Sequence, residues 1–152
     1  MSKRNVTHAT FSLERTYEAP PARVFAAWAD PAAKSRWFAR DVAEHHLDFR
    51  VGGKEIIRAR PGGGPVLSFE STYQDIVDGE RIVYSSALST EEQVATVSLT
   101  TVELSPDEGG TRLVLTEQGA YLDALEQPSW REQGTSDHLE ALGAELSRAR
   151  SG

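Results

Sequence analysis

Arg131-Glu132-Gln133-Gly134-Thr135-Ser136-Asp137-His138-Leu139-Glu140-Ala141-Leu142-Gly143-Ala144-Glu145-Leu146-Ser147-Arg148-Ala149-Arg150 is the stretch that decides the fold. Leu139, Leu142 and Leu146 stand at i, i+3 and i+7, one apolar stripe along a helix. Thr135 or Ser136 suits an N-terminal cap, and Arg148 and Arg150 complement the dipole at the far end. Before this helix, the chain from His45 to Gly119 reads almost entirely as strands and tight turns. A sheet that long buries one face, and the terminal helix is the main element available to cover it. The economical arrangement is α+β: a curved antiparallel sheet wrapped round the helix, with room for a cavity between them.

Working outward, Thr10 to Glu18 alternates Phe11, Leu13 and Tyr17 against Ser12, Glu14 and Thr16, a strand with one buried face. Ala19-Pro20-Pro21 stops it and opens a helix, because proline is tolerated in a first turn. Val24, Phe25 and Trp28 recur at helical spacing, and Asp30 before Pro31 caps a second short helix closed by Trp37 and Phe38. Strands are expected over His45–Val51, Lys54–Arg60, Val66–Val77, Arg81–Leu88, Gln93–Leu104 and Thr111–Gly119. Glycine-rich or Asp-Gly turns separate them. The stretch between Tyr121 and Trp130 reads as a loop or a short turn of helix. The expected order is strand, two short helices, six strands and one long helix, in a single domain over residues 1–152.

Composition narrows the function. A chain of 152 residues can bury roughly 68–70% of its unfolded surface without staples. Cysteine is absent, which removes disulfides and thiolate metal sites. A net charge of −7 argues against nucleic acid. No stretch approaches the ~18 apolar residues of a membrane span, and no apolar run suggests a signal peptide. A cytoplasmic protein is expected, and Asn5-Val6-Thr7 is then not a glycosylation site.

Several motifs follow one another in a familiar order. They are Tyr17-Glu18-Ala19-Pro20-Pro21-Ala22-Arg23-Val24-Phe25, then Trp28, Asp30-Pro31 and Trp37-Phe38, then Asp48-Phe49-Arg50-Val51-Gly52-Gly53. Tyr73, Ile76-Val77, Gly79-Glu80-Arg81-Ile82-Val83-Tyr84, Gly110-Thr111-Arg112-Leu113 and Thr116-Glu117-Gln118-Gly119 complete the series. Together they resemble the START-like (SRPBCC) superfamily, in the branch similar to activators of the heat-shock-protein-90 ATPase. The resemblance covers Phe11 to Leu146. It implies the helix-grip fold, and relatives that include carriers of hydrophobic ligands, polyketide cyclases and aromatases, and co-chaperone domains.

Candidate lining residues for the cavity are Trp28, Trp37, Phe38, Phe69, Tyr73, Tyr84, Trp130, Leu139, Leu142 and Gly143. The aromatic rings supply large apolar faces, and the tyrosines add a polar edge. Gly143, with Ala141 and Ala144 nearby, leaves that part of the helix thinly clad. Asp48 and Arg50, two apart on a strand, share one face opposite Leu47, Phe49 and Val51, which favours an outward ion pair. His45 and His46 point to opposite faces of a strand and cannot readily chelate one ion. His138 beside Asp137 does not make a triad, since helix neighbours diverge. No catalytic residue, metal site or cofactor is assigned.

The reading that follows is a binding domain for a small apolar or aromatic molecule, without established catalysis. One alternative is a cyclase- or hydrolase-like enzyme using Tyr73, Tyr84, Glu70 or Asp48 as proton donors. Another is an interaction protein that binds a chaperone ATPase. The antiparallel edges also allow a homodimer.

Overall fold

The computed structural model describes residues 4–91 and 93–151; the side chains of Ala149, Arg150 and Ser151 lie outside the described residues. Seven strands form one antiparallel sheet: β1 (Val6–Tyr17), β2 (Glu44–Leu47), β3 (Lys54–Ala59), β4 (Leu67–Val77), β5 (Arg81–Ser89), β6 (Val94–Asp107) and β7 (Gly110–Leu122). Their order across the sheet is β1-β7-β6-β5-β4-β3-β2. Two short helices, α1 (Pro21–Ala29) and α2 (Pro31–Trp37), follow β1, and the long α3 (Pro128–Ser151) ends the chain. This is the helix-grip arrangement that the strand and helix order implies. Among the described residues no helix is long and apolar enough to cross a membrane.

Local chemistry explains the two short helices. Each begins at a proline in its first turn, and the Asp30 carboxylate accepts the Ala33 N–H at 3.0 Å to cap α2. Val24, Phe25 and Trp28 form the buried face of α1.

Two boundaries near the site differ from the sequence expectation. β2 stops at Leu47 instead of running to Val51, because Asp48–Gly53 folds into a tight turn. There Gly53 N–H donates to the Arg50 carbonyl at 2.7 Å, and a Cβ on Gly53 would collide with the Asp48 carbonyl. Asp48 and Arg50 therefore sit on a turn rather than a strand face; they are exposed and ion-paired at 2.8 Å, while Phe49 packs inward against Phe25 and Tyr73. Helix α3 starts at Pro128, which places Trp130 in its first turn and Gly134 in its interior. Thr135 and Ser136 are consequently helical residues and not caps.

Rows across the concave face of the sheet determine where it is filled and where it is hollow. Ile76, Ile82, Val102, Leu115 and Leu13 align in one row. They belong to one apolar cluster with Val24 and Phe25 of α1 and Leu139, Leu142 and Leu146 of α3. The next row is Tyr73, Tyr84, Thr100, Glu117 and Phe11. Beyond it lies a row of small residues, Ser71, Ser86, Ser98 and Gly119, in which the first two hydroxyls bond at 2.7 Å. The last row carries Ile57, Phe69, Leu88, Thr96 and Tyr121. Low side chains between two taller rows leave the interior underfilled at that end.

Helix α3 is clamped over this surface by polar contacts from three elements. The Tyr17 hydroxyl donates to the Leu139 carbonyl at 2.8 Å, and Arg23 donates to the Leu146 carbonyl at 2.9 Å. Arg36 of α2 makes a two-toothed contact with Glu145, the shorter bond being 2.7 Å.

Candidate functional site

A cavity of about 340 Å3 lies between the N-terminal half of α3, the short helices and the sheet. Trp28, Trp37 and Phe38 wall it on one side, Phe69, Tyr84 and Leu88 on the sheet, and Trp130, His138 and Leu139 on α3. Trp28 and Trp37 meet edge to face with centroids 4.8 Å apart, and Phe38 stacks on the His138 imidazole at 4.6 Å. Trp130, 63% exposed, stands at the mouth. All three tryptophans of the chain border this one space.

Of the residues expected to line the cavity, seven are brought together here: Trp28, Trp37, Phe38, Phe69, Tyr84, Trp130 and Leu139. Three stand elsewhere. Leu142 is wholly buried in the apolar cluster. Gly143 faces the Tyr17 ring, where an added Cβ would lie 3.4 Å from a ring carbon. It allows that ring to approach the helix, and the thin spot over the cavity is Gly134, whose Cβ would meet open space. Tyr73 is buried behind the wall in a polar cluster described below.

The polar end of the cavity was not foreseen. Glu117, on β7, projects inward two residues after Leu115, and Arg131 reaches it from the second turn of α3 at 3.1 Å. Arg131 also binds Glu126 at 2.9 Å and the Ser98 hydroxyl at 3.3 Å, so all three of its nitrogens are engaged. The second Glu117 oxygen accepts the Thr100 hydroxyl at 2.8 Å, and Glu126 accepts the Thr96 hydroxyl at 2.6 Å. Burial pushes the Glu117 carboxyl above its ordinary range, although Arg131 and Thr100 pull the other way. Arg131 in turn lies over the Phe69 ring at 5.6 Å.

His138 has a different character. Burial, helped by the nearby Lys34 cation, lowers its pKa to about 4, so the imidazole is neutral near pH 7. Neither ring nitrogen has a hydrogen-bond partner among the described residues. The Trp28 indole N–H is likewise buried without an acceptor.

Behind the aromatic wall is a second cluster. Lys34 of α2 and Glu55 of β3, both fully buried, pair at 2.6 Å. His45 Nε2 of β2 donates to the other Glu55 oxygen at 2.8 Å, and Lys34 donates to the Tyr73 hydroxyl at 3.2 Å. The Lys34 ammonium sits 4.3 Å from the centroid of Phe38, 5.3 Å from Trp28, 5.7 Å from Tyr84 and 5.8 Å from Tyr73. Burial lowers the Lys34 pKa against the pull of Glu55. Burial alone would raise Glu55, but the Lys34 charge and the His45 contact bring it below its usual value. The pair is caged by rings that form the cavity wall on their other side.

Among the described residues no group of three or more histidines and carboxylates could hold a metal ion. Two of the four proton donors weighed from sequence, Glu70 and Asp48, face solvent. Burial raises the Tyr73 and Tyr84 hydroxyls far above their ordinary values, so both stay protonated. The sequence did carry a signal for Glu117: the inward alternation Leu113, Leu115, Glu117 on β7. Lys34 likewise stands three and four residues before Trp37 and Phe38, on the aromatic face of its helix.

The architecture and site can now be set beside known proteins. The family model for Activator of Hsp90 ATPase homolog 1-like protein matches residues 18–147. The chain belongs to this family. Among solved structures, Mll3558 of Rhizobium loti is 49% identical with a TM-score of 0.88, over 93% of this chain and 99% of that one. A putative uncharacterized protein from Rhizobium leguminosarum is 39% identical with a TM-score of 0.91, over 95% and 98% respectively. CV1439 of Chromobacterium violaceum is 28% identical with a TM-score of 0.73, over 89% and 94%. No curated protein matches the chain. Family membership accounts for the helix-grip fold, and the function has to be argued from the cavity.

Proposed function

We propose that this family member binds a small, largely apolar or aromatic molecule in the cavity between α3 and the sheet, without transforming it. The observation that carries this reading is an aromatic-walled space of about 340 Å3 closed at one end by the Arg131–Glu117–Glu126 network. That volume lies at the lower end of the roughly 300–1,000 Å3 typical of small-molecule sites, so the ligand is compact. Apolar walls with few fixed polar groups are the usual composition of such sites. Binding is favoured over turnover because the carboxyl and the cation in the cavity hold each other, and the two tyrosine hydroxyls keep their protons.

The tryptophans make the test direct. Titration with naphthalene, followed by tryptophan fluorescence under indole-selective excitation, is expected to give a saturable change, since every tryptophan borders the cavity. Gly134→Leu adds a branched side chain where the backbone faces open space beside the cavity, and it is expected to abolish that change while the helix stays formed. A linear, non-saturating response in the wild-type protein, or full binding by the Gly134→Leu variant, would discard the reading.

A further inference from the structure

We propose that the cavity selects uncharged aromatic molecules carrying a hydroxyl or carbonyl oxygen, that the Arg131–Glu117–Glu126 network excludes their carboxylate counterparts, and that His138 meets the oxygen. This rests on the binding reading above and names its ligand class. The charges that border the cavity are Arg40, Glu117, Glu126 and Arg131. Arg131 is only 9% exposed and is shared between two carboxylates, themselves 6% and 15% exposed. With every nitrogen of its guanidinium already bonded, it offers an incoming carboxylate little, and that anion would approach two buried negative groups. Arg40 stands at the mouth, 80% exposed and 4.0 Å from Asp41, where water screens it. Lys34 lies behind the rings, neutralised by Glu55. An anion therefore loses its hydration in this space and gains no free cation.

An uncharged oxygen has partners waiting. His138 borders the cavity, its ring packed against Phe38 at a tilt of 37°, and its neutral imidazole presents one donor and one acceptor that no described residue uses. A hydroxyl or carbonyl group can satisfy such groups, whereas a bare hydrocarbon leaves them unmet.

Three probes with one ring system separate the parts: 2-naphthol, 2-naphthoate and naphthalene, measured by calorimetry near neutral pH. The wild-type protein is expected to bind 2-naphthol about tenfold tighter than 2-naphthoate and several-fold tighter than naphthalene. His138→Phe keeps the ring contact with Phe38 and is expected to bind 2-naphthol and naphthalene alike, while His138→Gln, with a donor and an acceptor, keeps the preference. Equal or tighter binding of 2-naphthoate overturns the exclusion and leaves the cavity reading standing. An unchanged 2-naphthol preference in His138→Phe overturns the role of His138. If none of the three binds at millimolar concentration, the cavity reading itself fails and takes this proposal with it.

Discussion

Lys34 and Arg131 are both cations taken out of water, yet the protein accommodates them in opposite ways. Lys34 is enclosed completely, with one carboxylate, a tyrosine hydroxyl and four ring faces around it. Arg131 is shared by two carboxylates and one ring, and it borders open space. The first cluster ties α2 to β3 and fixes the rings of Trp28 and Phe38 from behind. The second fixes the polar end of the cavity those rings enclose. The labour is divided: one buried pair backs the aromatic wall, and the other forms the polar end that a ligand would meet under the proposed function.

The strongest way to break the comparison is to remove the sealed cation. Lys34→Met is expected to destabilise the protein by about 3–5 kcal/mol, because Glu55 would be left charged in a space without water. Urea denaturation measures this. Adding Glu55→Leu to the same variant is expected to recover much of the loss, since an apolar pair avoids the desolvation cost. A single-variant loss below about 1 kcal/mol would mean that Glu55 takes up a proton cheaply and that the cluster does not lock the wall.

His138 sharpens the contrast through pH. Its pKa is about 4 in the folded state against 6.5 ordinarily, so between those values the unfolded chain binds the extra proton. Stability from this residue is fully present above pH 6.5 and is lost as pH falls toward 4, by about 3 kcal/mol at most. The groups acting on His138 are Lys34, Asp137 and Glu55, of which only Lys34 pushes the pKa down. Glu117, with its raised pKa, has the opposite sign: its burial costs stability as pH rises past the ordinary carboxyl range. The informative quantity is therefore the difference between wild type and His138→Phe in denaturation midpoint across this range. It is expected to shrink steadily as the pH is lowered, the wild type losing its relative stability. A constant difference would mean that His138 stays accessible to water in the folded protein.

The sequence made the architecture readable because strands and helices announce themselves by period, and Leu139, Leu142 and Leu146 mark the helix that the sheet must grip. Asp48 and Arg50 were misplaced because a turn that hinges on Gly53 is set by a close backbone approach, which alternation does not reveal. In the site, aromatic residues were visible as large apolar groups that had to be buried somewhere. The charged residues were not, since Lys34, Glu55, Glu117 and Arg131 are types that usually face water. Their burial follows from partners that lie 21 residues apart for the lysine pair and 14 for the arginine pair. Gly143 and Gly134 were both recognisable as oddities in a helix, but which of them faces the hollow depends on the position of Tyr17.

Those two glycines give the smallest and most discriminating test. In a helix interior, glycine costs about 0.8–1 kcal/mol relative to alanine. At Gly134 a methyl group would meet nothing within 4 Å, so Gly134→Ala is expected to return most of that amount and raise Tm by about 2–4 °C. At Gly143 the same methyl would press on the Tyr17 ring at 3.4 Å and 3.7 Å, and Tyr17 is the residue whose hydroxyl holds the Leu139 carbonyl. Gly143→Ala is therefore expected to leave Tm nearly unchanged, the gain in helix propensity being offset by displacement of the ring. Thermal scans of the two variants place the hollow directly. Equal stabilisation at both positions would mean that α3 stands clear of β1 as well as of the cavity, and the grip on the C-terminal half of the helix would have to be assigned to Arg23 and Arg36 instead.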